Sequence, residues 1–518
     1  MYRWHRTISL VIALPVLLWA ISGFMHPIMT TIKPKVATQF MPPTPIDSAQ
    51  IKIPLPQVLQ QHRIDSFSKM RFVHIGPYWF YQVQLPNQTE PLYFSTLNGK
   101  LLRNGNRVYA QYLAQYFLQG NKAMPTPPTN STETDCCHAA TSFVTNSTGS
   151  SNASITNSTL IQTFNSEYKS INKLLPVYKI DFARADGIRI YVEPTYDRFA
   201  FAMDNKRAVF DQIFQWFHSF TWLNFTGNFR LWVLGLLSAL ACVSTLLGII
   251  IFIRTKSKPV KGNAKVKARR NHRYTAIVTA LFTLFFAFSG SYHAFKKIDT
   301  NAETNSVYEA SVFAATEANI PFQQLQALVK KPITNISLVH MHPHNYWQVQ
   351  TAKATSPAAA KTKPSKANKT VPPPSAMYIN TNNLQPLANG EVVYAQYLTQ
   401  LFSDGDSAAI VNTQPITEFK GEYGFINKRL PVMKVQLNTP NHAAWYVETG
   451  TGQLATVVTN ADRYEGLSFS FLHKHHFLDT AGKEWRDFST MFWAMAQIAM
   501  VVIGLVLYFK TRKKTNPA

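Results

Sequence analysis

Four stretches of the chain, 7–29, 231–253, 274–295 and 488–509, contain no Asp, Glu, Lys or Arg. A helix of about 20 apolar residues crosses a hydrocarbon core of about 30 Å, so each stretch is predicted to be a membrane-spanning helix. The segments between them, 33–228 and 297–486, follow another rhythm. Short helical patterns such as PLPQVLQQH (54–62) and VYAQYLAQYFL (108–118) are each followed by alternating runs. YWFYQVQL (78–85) and PLYFSTLNGKLL (91–102) follow the first helix; VYKIDFA (177–183), IRIYVEP (188–194) and RFAFAMD (198–204) follow the second. A helix followed by three strands, twice over, predicts a small α+β module and its duplicate.

The pattern recurs along the whole chain. HRTISLVIALPVLLWAISGFMH (5–26) aligns with HRYTAIVTALFTLFFAFSGSYH (272–293) at 10 of 22 positions, an offset of 267. VYAQYL (108–113) returns at 393–398, EYKSINKLLPV (167–177) as EYGFINKRLPV at 422–432, and YVE (191–193) at 446–448. The chain therefore reads as two copies of helix, polar domain, helix. The offset drifts to 285 and then 255, which places insertions near 352–376, rich in Lys, Ala and Pro, and near 126–163, rich in Ser, Thr and Asn. Both are poor in apolar residues and are predicted to lack structure.

Charge fixes the orientation. The net charge is +24, and 15 of those charges sit in Arg3 and Arg6, in the loop 254–273 and in the tail 510–518, none of which holds an acidic residue. By the positive-inside rule both termini and the short loop are cytoplasmic and the two large segments are outside. That placement explains the basic balance without nucleic acid; the partner it implies is the lipid bilayer. Only 15% of residues are charged, against about 25% in soluble domains. The three cysteines, Cys136, Cys137 and Cys242, are too few for an iron–sulfur cluster. The absence of intramembrane charge argues against a small transporter.

The histidines carry the candidate chemistry. His5 and His26 are 21 residues apart, as are His272 and His293. That spacing is about 31 Å and nearly six turns, so each pair lies on one side of its helix with one imidazole near each membrane face. Facing duplicated helices would pair His5 with His272 and His26 with His293, as two bis-histidine b-type haems require. His218 and His473, each before a later span, are rival ligands for the outer haem or groups at its edge. His475 and His476 have no histidine counterpart and weigh less. The Ser22-Gly23 and Ser289-Gly290 steps would admit a flat macrocycle or serve helix packing. Trp19, Phe282, Phe285, Phe286 and Phe288 are expected to fill the midplane. His340, His342 and His344 read as an H-x-H-x-H strand, of which only His340 has a partner, His74; a solvated strand face outweighs a metal site. Cys136-Cys137-His138 is a weak metal candidate.

WHR (4–6), Pro15, Trp19, Ser22-Gly23 and the Phe217-His218 and Leu472-His473 elements resemble the PepSY-associated transmembrane family over essentially the whole chain outside the insertions. The resemblance implies two PepSY-like periplasmic domains on a four-helix bundle of two pseudo-symmetric repeats, in the bacterial inner membrane. It further implies a di-haem reductase passing electrons from a cytoplasmic or quinol donor to a ferric siderophore or other ferric chelate, giving Fe(II) for uptake. The competing expectation is a membrane-anchored PepSY binding module without redox activity. No Gly-rich dinucleotide fingerprint follows a strand, so the electron donor is expected outside the chain.

Overall fold

The computed structural model describes residues 1–120, 136–145, 154–257, 259–260, 262–299, 311–352, 376–403 and 409–512. In chain order the first half forms α1 (Tyr2–Thr31), α2 (Leu55–Gln61), β1 (Ser66–Phe67), β2 (Lys69–Ile75), β3 (Tyr78–Gln84), β4 (Leu92–Ser95), α3 (Gly105–Gln119) and α4 (Cys136–Thr145). It continues through β5 (Ile155–Ile161), β6 (Val177–Phe182), β7 (Arg189–Glu193), β8 (Arg198–Met203), α5 (Asn205–His218) and α6 (Phe229–Arg254). The second half forms α7 (Ala264–Asp299), β9 (Phe313–Ala314), α8 (Phe322–Val329), β10 (Ile333–Met341), β11 (His344–Thr351), β12 (Met377–Asn380) and α9 (Gly390–Phe402). It ends with β13 (Ile410–Ile416), β14 (Val432–Leu437), β15 (Ala444–Glu448), β16 (Gln453–Val458), α10 (Asn460–Ser468) and α11 (Lys483–Arg512).

Two compact units result. Met1–Lys33, Lys206–Asn305 and Asn460–Ala518 form a helical unit; Pro34–Asn205 and Ser306–Thr459 form a sheet unit. In the helical unit, α1, α6, α7 and α11 are long and apolar enough to cross a membrane and contain the four predicted spans. α1 and α7 each pack against both α6 and α11. Ile12, Val16, Ala241 and Val501 are buried where these helices meet, and Ser9 Oγ lies 2.7 Å from Ser244 Oγ between α1 and α6. Small and hydroxyl side chains let apolar helices approach closely in lipid. α7 begins ten residues before the predicted span, so the second half of the basic loop is helical.

The sheet unit draws on both halves of the chain. Its sheets are antiparallel, in orders β2-β3-β4, β5-β6-β7-β8, β10-β11-β12 and β13-β14-β15-β16. β3 is buried on both faces. Phe80 and Tyr78, with Val73 and Ile75 of β2, pack beneath α3, α4, β6 and β7. The opposite face, Met70, Phe72, Trp79 and Tyr81, packs with Leu325, Ile336, Leu338 and Trp347 of the second half. A third core lies beneath α9 and takes Val339 and Met341 from the other face of β10. The two halves thus share a central hydrophobic layer, reinforced by Asn335, whose Oδ1 accepts from Phe72 N at 3.1 Å, and by the β1–β9 pair.

Three local expectations change. The Ser/Thr/Asn stretch expected to lack structure contains α4 and β5; its residues 126–135 and 146–153 lie outside the described residues, as do 353–375 of the other insertion. β5 carries apolar residues only at Ile155, Leu160 and Ile161, which pack partly buried against the cores, and it pairs with β6 with a register shift after Ile155. α4 buries Cys136, Ala140, Phe143 and Val144 in the first core. The third change is at His340-x-His342-x-His344, which straddles a hairpin: His340 is the last residue but one of β10, His342 lies in the turn and His344 opens β11.

Candidate functional site

Within the helical unit the histidines gather in two tiers. The first tier holds His5 on α1 and His272 on α7. His5 Nδ1 lies 3.0 Å from the Ser244 carbonyl, while His272 Nδ1 is buried without a hydrogen-bond partner. Each imidazole faces a glycine: a Cβ at Gly248 would lie 3.3 Å from His5 Cε1, and one at Gly504 3.2 Å from His272 Cε1. Any side chain there would press on the ring, so the glycines keep space beside both imidazoles.

The second tier brings together the other four. His218 and His473 approach across its centre, ring centroids 5.9 Å apart and planes at 85°. Each is fixed by the serine of the SG step in the other element of its copy: Ser22 Oγ lies 3.1 Å from His218 Nδ1 and Ser289 Oγ 3.1 Å from His473 Nδ1. The serines also donate to carbonyls on their own helices, which sets their rotamers. A ring nitrogen occupied in this way leaves Nε2 as the free coordinating position. Burial, aided by the charges of neighbouring histidines, lowers the His218 pKa to about 4 and that of His473 well below the ordinary value; this favours the neutral imidazole, the form that ligates metal.

His26 and His293 stand outside this pair, each behind a phenylalanine. Phe214 stacks on His218 at 4.6 Å and meets His26 at 5.3 Å; Phe469 stacks on His473 at 4.7 Å and on His293 at 4.5 Å. His293 Nδ1 bonds Glu465. Of the aromatic residues expected at the midplane, Trp19 donates to the His218 carbonyl at 3.1 Å, Phe286 contacts His473 and Phe285 contacts Phe282. Phe282 stacks on Trp493 at 3.9 Å. Phe288 is exposed on the helix surface and fills no interior space.

The remaining candidates do not converge. Among the described residues, no group of three His, Cys, Asp or Glu side chains is placed to hold a metal ion. Cys136 Sγ donates to Ser95 Oγ at 2.9 Å, and Cys137 Sγ points to the Lys100 carbonyl at 3.6 Å. His340 Nδ1 pairs with Asn345 Oδ1 at 2.7 Å, His74 Nδ1 with the Gly76 carbonyl at 3.1 Å, and His476 Nδ1 with Asp479 at 2.6 Å. The role of the serines in fixing His218 and His473 was missed in the sequence; the signal was the joint recurrence of the SG step and the pre-span histidine in both copies.

Four membrane-crossing helices combined with α+β sheets define a membrane protein that carries large polar domains between its spans. The family model for the PepSY-associated TM region matches residues 2–414, and the chain belongs to that family. No curated protein gives a significant match.

Proposed function

We propose that the protein is a transmembrane di-haem b oxidoreductase that delivers electrons to a ferric siderophore or similar ferric chelate on the periplasmic side of the bacterial inner membrane, releasing Fe(II) for uptake. The observation that carries this reading is the second tier, where two half-buried imidazoles oppose each other with one nitrogen of each fixed by serine. The imidazoles at each tier would hold one haem. In the first, His5 and His272 would hold one group, beside Gly248 and Gly504. In the second there are two concentric pairs: His26 with His293, as the duplication suggests, and His218 with His473, the pair favoured by burial and by the serine bonds. When bound, bis-histidine haem supplies a one-electron Fe(III)/Fe(II) couple whose potential follows burial and hydrogen bonding. The chain's own work is to orient the imidazoles and exclude water from them. Family membership supports the membrane setting, and the basic clusters support cytoplasmic termini; the electron donor in this reading is cytoplasmic or a quinol.

The test is a pyridine-haemochrome assay on the purified chain, followed by mixing the dithionite-reduced protein with ferric chelates and trapping Fe(II). Two haems per chain and chelate-dependent reoxidation are expected. A preparation without haem, after expression with adequate haem supply, would sink the reading and leave the membrane-anchored binding module in its place. His218→Ala or His473→Ala should abolish one low-spin signal while His26→Ala and His293→Ala spare it; the reverse pattern would return the second tier to His26 and His293.

A further inference from the structure

His475 is fully enclosed within the helical unit, at 0% exposure. Its Nδ1 lies 3.1 Å from Ser489 Oγ on α11, whereas Nε2 is buried with no hydrogen-bond partner. The surroundings are flat rings: Phe286 stacks on it at 5.2 Å, Phe282 meets it edge-on at 5.2 Å and Phe477 lies at 5.4 Å. A polar nitrogen left unpaired among such groups is costly and calls for an explanation.

The fold does not ask for that nitrogen. In the register that aligns His218 with His473, position 475 corresponds to Phe220. Both residues occupy the left-handed region, at φ +52° and +48°, and Phe220 simply stacks on Trp19 at 5.7 Å. A phenyl ring therefore satisfies this turn in the first copy, and in the second copy the imidazole adds a hydrogen-bonding group with nothing to bond. The outward wall of the enclosure is Phe477, 38% exposed, in contact with the 47% exposed Phe471. Trp485, Phe488 and Phe492 of α11 are exposed as well, so the approach is from an apolar surface.

We propose that His475 marks a binding site for the head ring of a lipid-soluble quinone, with Nε2 hydrogen-bonded to a ring oxygen and Phe282 and Phe286 as the flat walls. The enclosure selects for that chemistry. A charged ligand would lose its hydration among phenylalanines, and an acyl chain would leave Nε2 unpaired. A planar ring with oxygen at its edge meets both the walls and the nitrogen. The site deepens the reading above by giving its external electron donor a place, and it rests on that reading for the donor role alone.

The experiment is equilibrium binding of decylubiquinone and of a short-chain naphthoquinone to the full detergent-solubilised chain, with haem content and melting measured on the same samples. Saturable binding is expected, weakened roughly tenfold in His475→Phe, which copies the first repeat and should keep the fold and both haem signals. Ser489→Ala, which frees the ring to turn, should weaken binding less. Absence of saturable binding, equal affinity in wild type and His475→Phe, or loss of a low-spin haem signal in His475→Phe would each overturn the site. Binding by a chain that holds no haem would uphold it while removing the reductase reading.

Discussion

The two copies within the chain have kept one set of contacts and abandoned another. Both hold a pre-span histidine by an SG-step serine at 3.1 Å, both place a phenylalanine between that histidine and an outer one, and both carry a bulge at the same point of YVE, between Tyr191 and Val192 and between Tyr446 and Val447. They differ where the copies meet or where only one is needed. Glu465, bonded to His293, corresponds to Phe210, and His475 corresponds to Phe220. The shared contacts include those that hold the pre-span imidazoles in place; the unshared ones set the copies apart at His293 and His475.

The largest difference lies in the sheet unit. Glu193 and Glu448 are equivalent, 4% and 5% exposed at their side chains, and both bind the same two arginines. Those arginines are not equivalent. Arg198 of the first copy, matched by Gln453 in the second, bonds Glu448 and lies 3.4 Å from Glu193; Arg429 of the second copy, matched by Leu174, lies 3.0 Å from Glu448 and 3.8 Å from Glu193. Each copy therefore supplies one cation from a different position. Removing one leaves buried carboxylates short of a counter-charge, which costs about 3–5 kcal/mol. Arg198→Met should lower thermal stability by that order, while Gln453→Met should change it by less than about 0.5 kcal/mol. Similar losses in both variants would show that the cluster is not what divides the copies. The pH dependence has a definite sign. Burial alone would raise the Glu448 pKa, but Arg198 and Arg429 outweigh it and hold the carboxyl below its usual range. Its contribution is full above about pH 5 and is lost as pH falls through the usual range to the depressed folded value. Melting profiles against pH should show this loss in the wild type.

How much of this could be read beforehand depended on where the signal lay. The spans were legible because burial in lipid demands an unbroken apolar run, and Tyr2–Thr31 and its three counterparts extend the predicted spans only at their ends. β5 and β13 were not, because ITNSTLI and IVNTQPI carry their apolar residues mainly at their ends around a polar middle and so break the period-two alternation. The shared core was hidden for the opposite reason: Met70, Phe72, Trp79 and Tyr81 alternate with residues equally buried on the other face, so period-two patterning could not say that a second layer existed. The paired histidines were visible as a recurrence. Their order from the centre outward was not, since it depends on how α5 and the segment Phe469–His473 fold back against the bundle.

A smaller effect tests the shared contacts. Ser22 and Ser289 are 0% and 1% exposed, so Ser22→Ala or Ser289→Ala leaves a histidine Nδ1 buried and unpaired, costing about 1–2 kcal/mol. The two losses should match within about 0.5 kcal/mol in detergent melts, and each should shrink in the background of its histidine replaced by Ala. A large inequality would mean that one serine acts only in helix packing and that the copies have already diverged at the second tier.

The smallest effect sharpens the comparison where an ion pair has been reinforced on one side. Glu167 and Glu422 are equivalent, and each accepts from the tyrosine of its YVE element, Tyr191 and Tyr446. Glu167 also receives both arms of Arg189, at 2.7 and 2.5 Å, and has Lys179 only at 3.8 Å. Burial opposes the charge on Glu167, yet the Arg189 and Tyr191 hydrogen bonds hold its pKa below the ordinary value. In the second copy position 444 is Ala444, and Lys434, equivalent to Lys179, has moved onto Glu422 in a direct bond. Planar bidentate arginine leaves little for a third partner, whereas a lysine bonded directly to its carboxylate carries more of the pairing. Lys434→Met should therefore cost about 0.5–1 kcal/mol and Lys179→Met less, the scale expected of partly exposed pairs. Adding Arg189→Ala to Lys179→Met should raise the lysine's share in the first copy to that in the second. If Lys179→Met proves as costly as Lys434→Met while Arg189 is intact, the arginine has not taken over the role, and the two copies differ in sequence there without differing in energy.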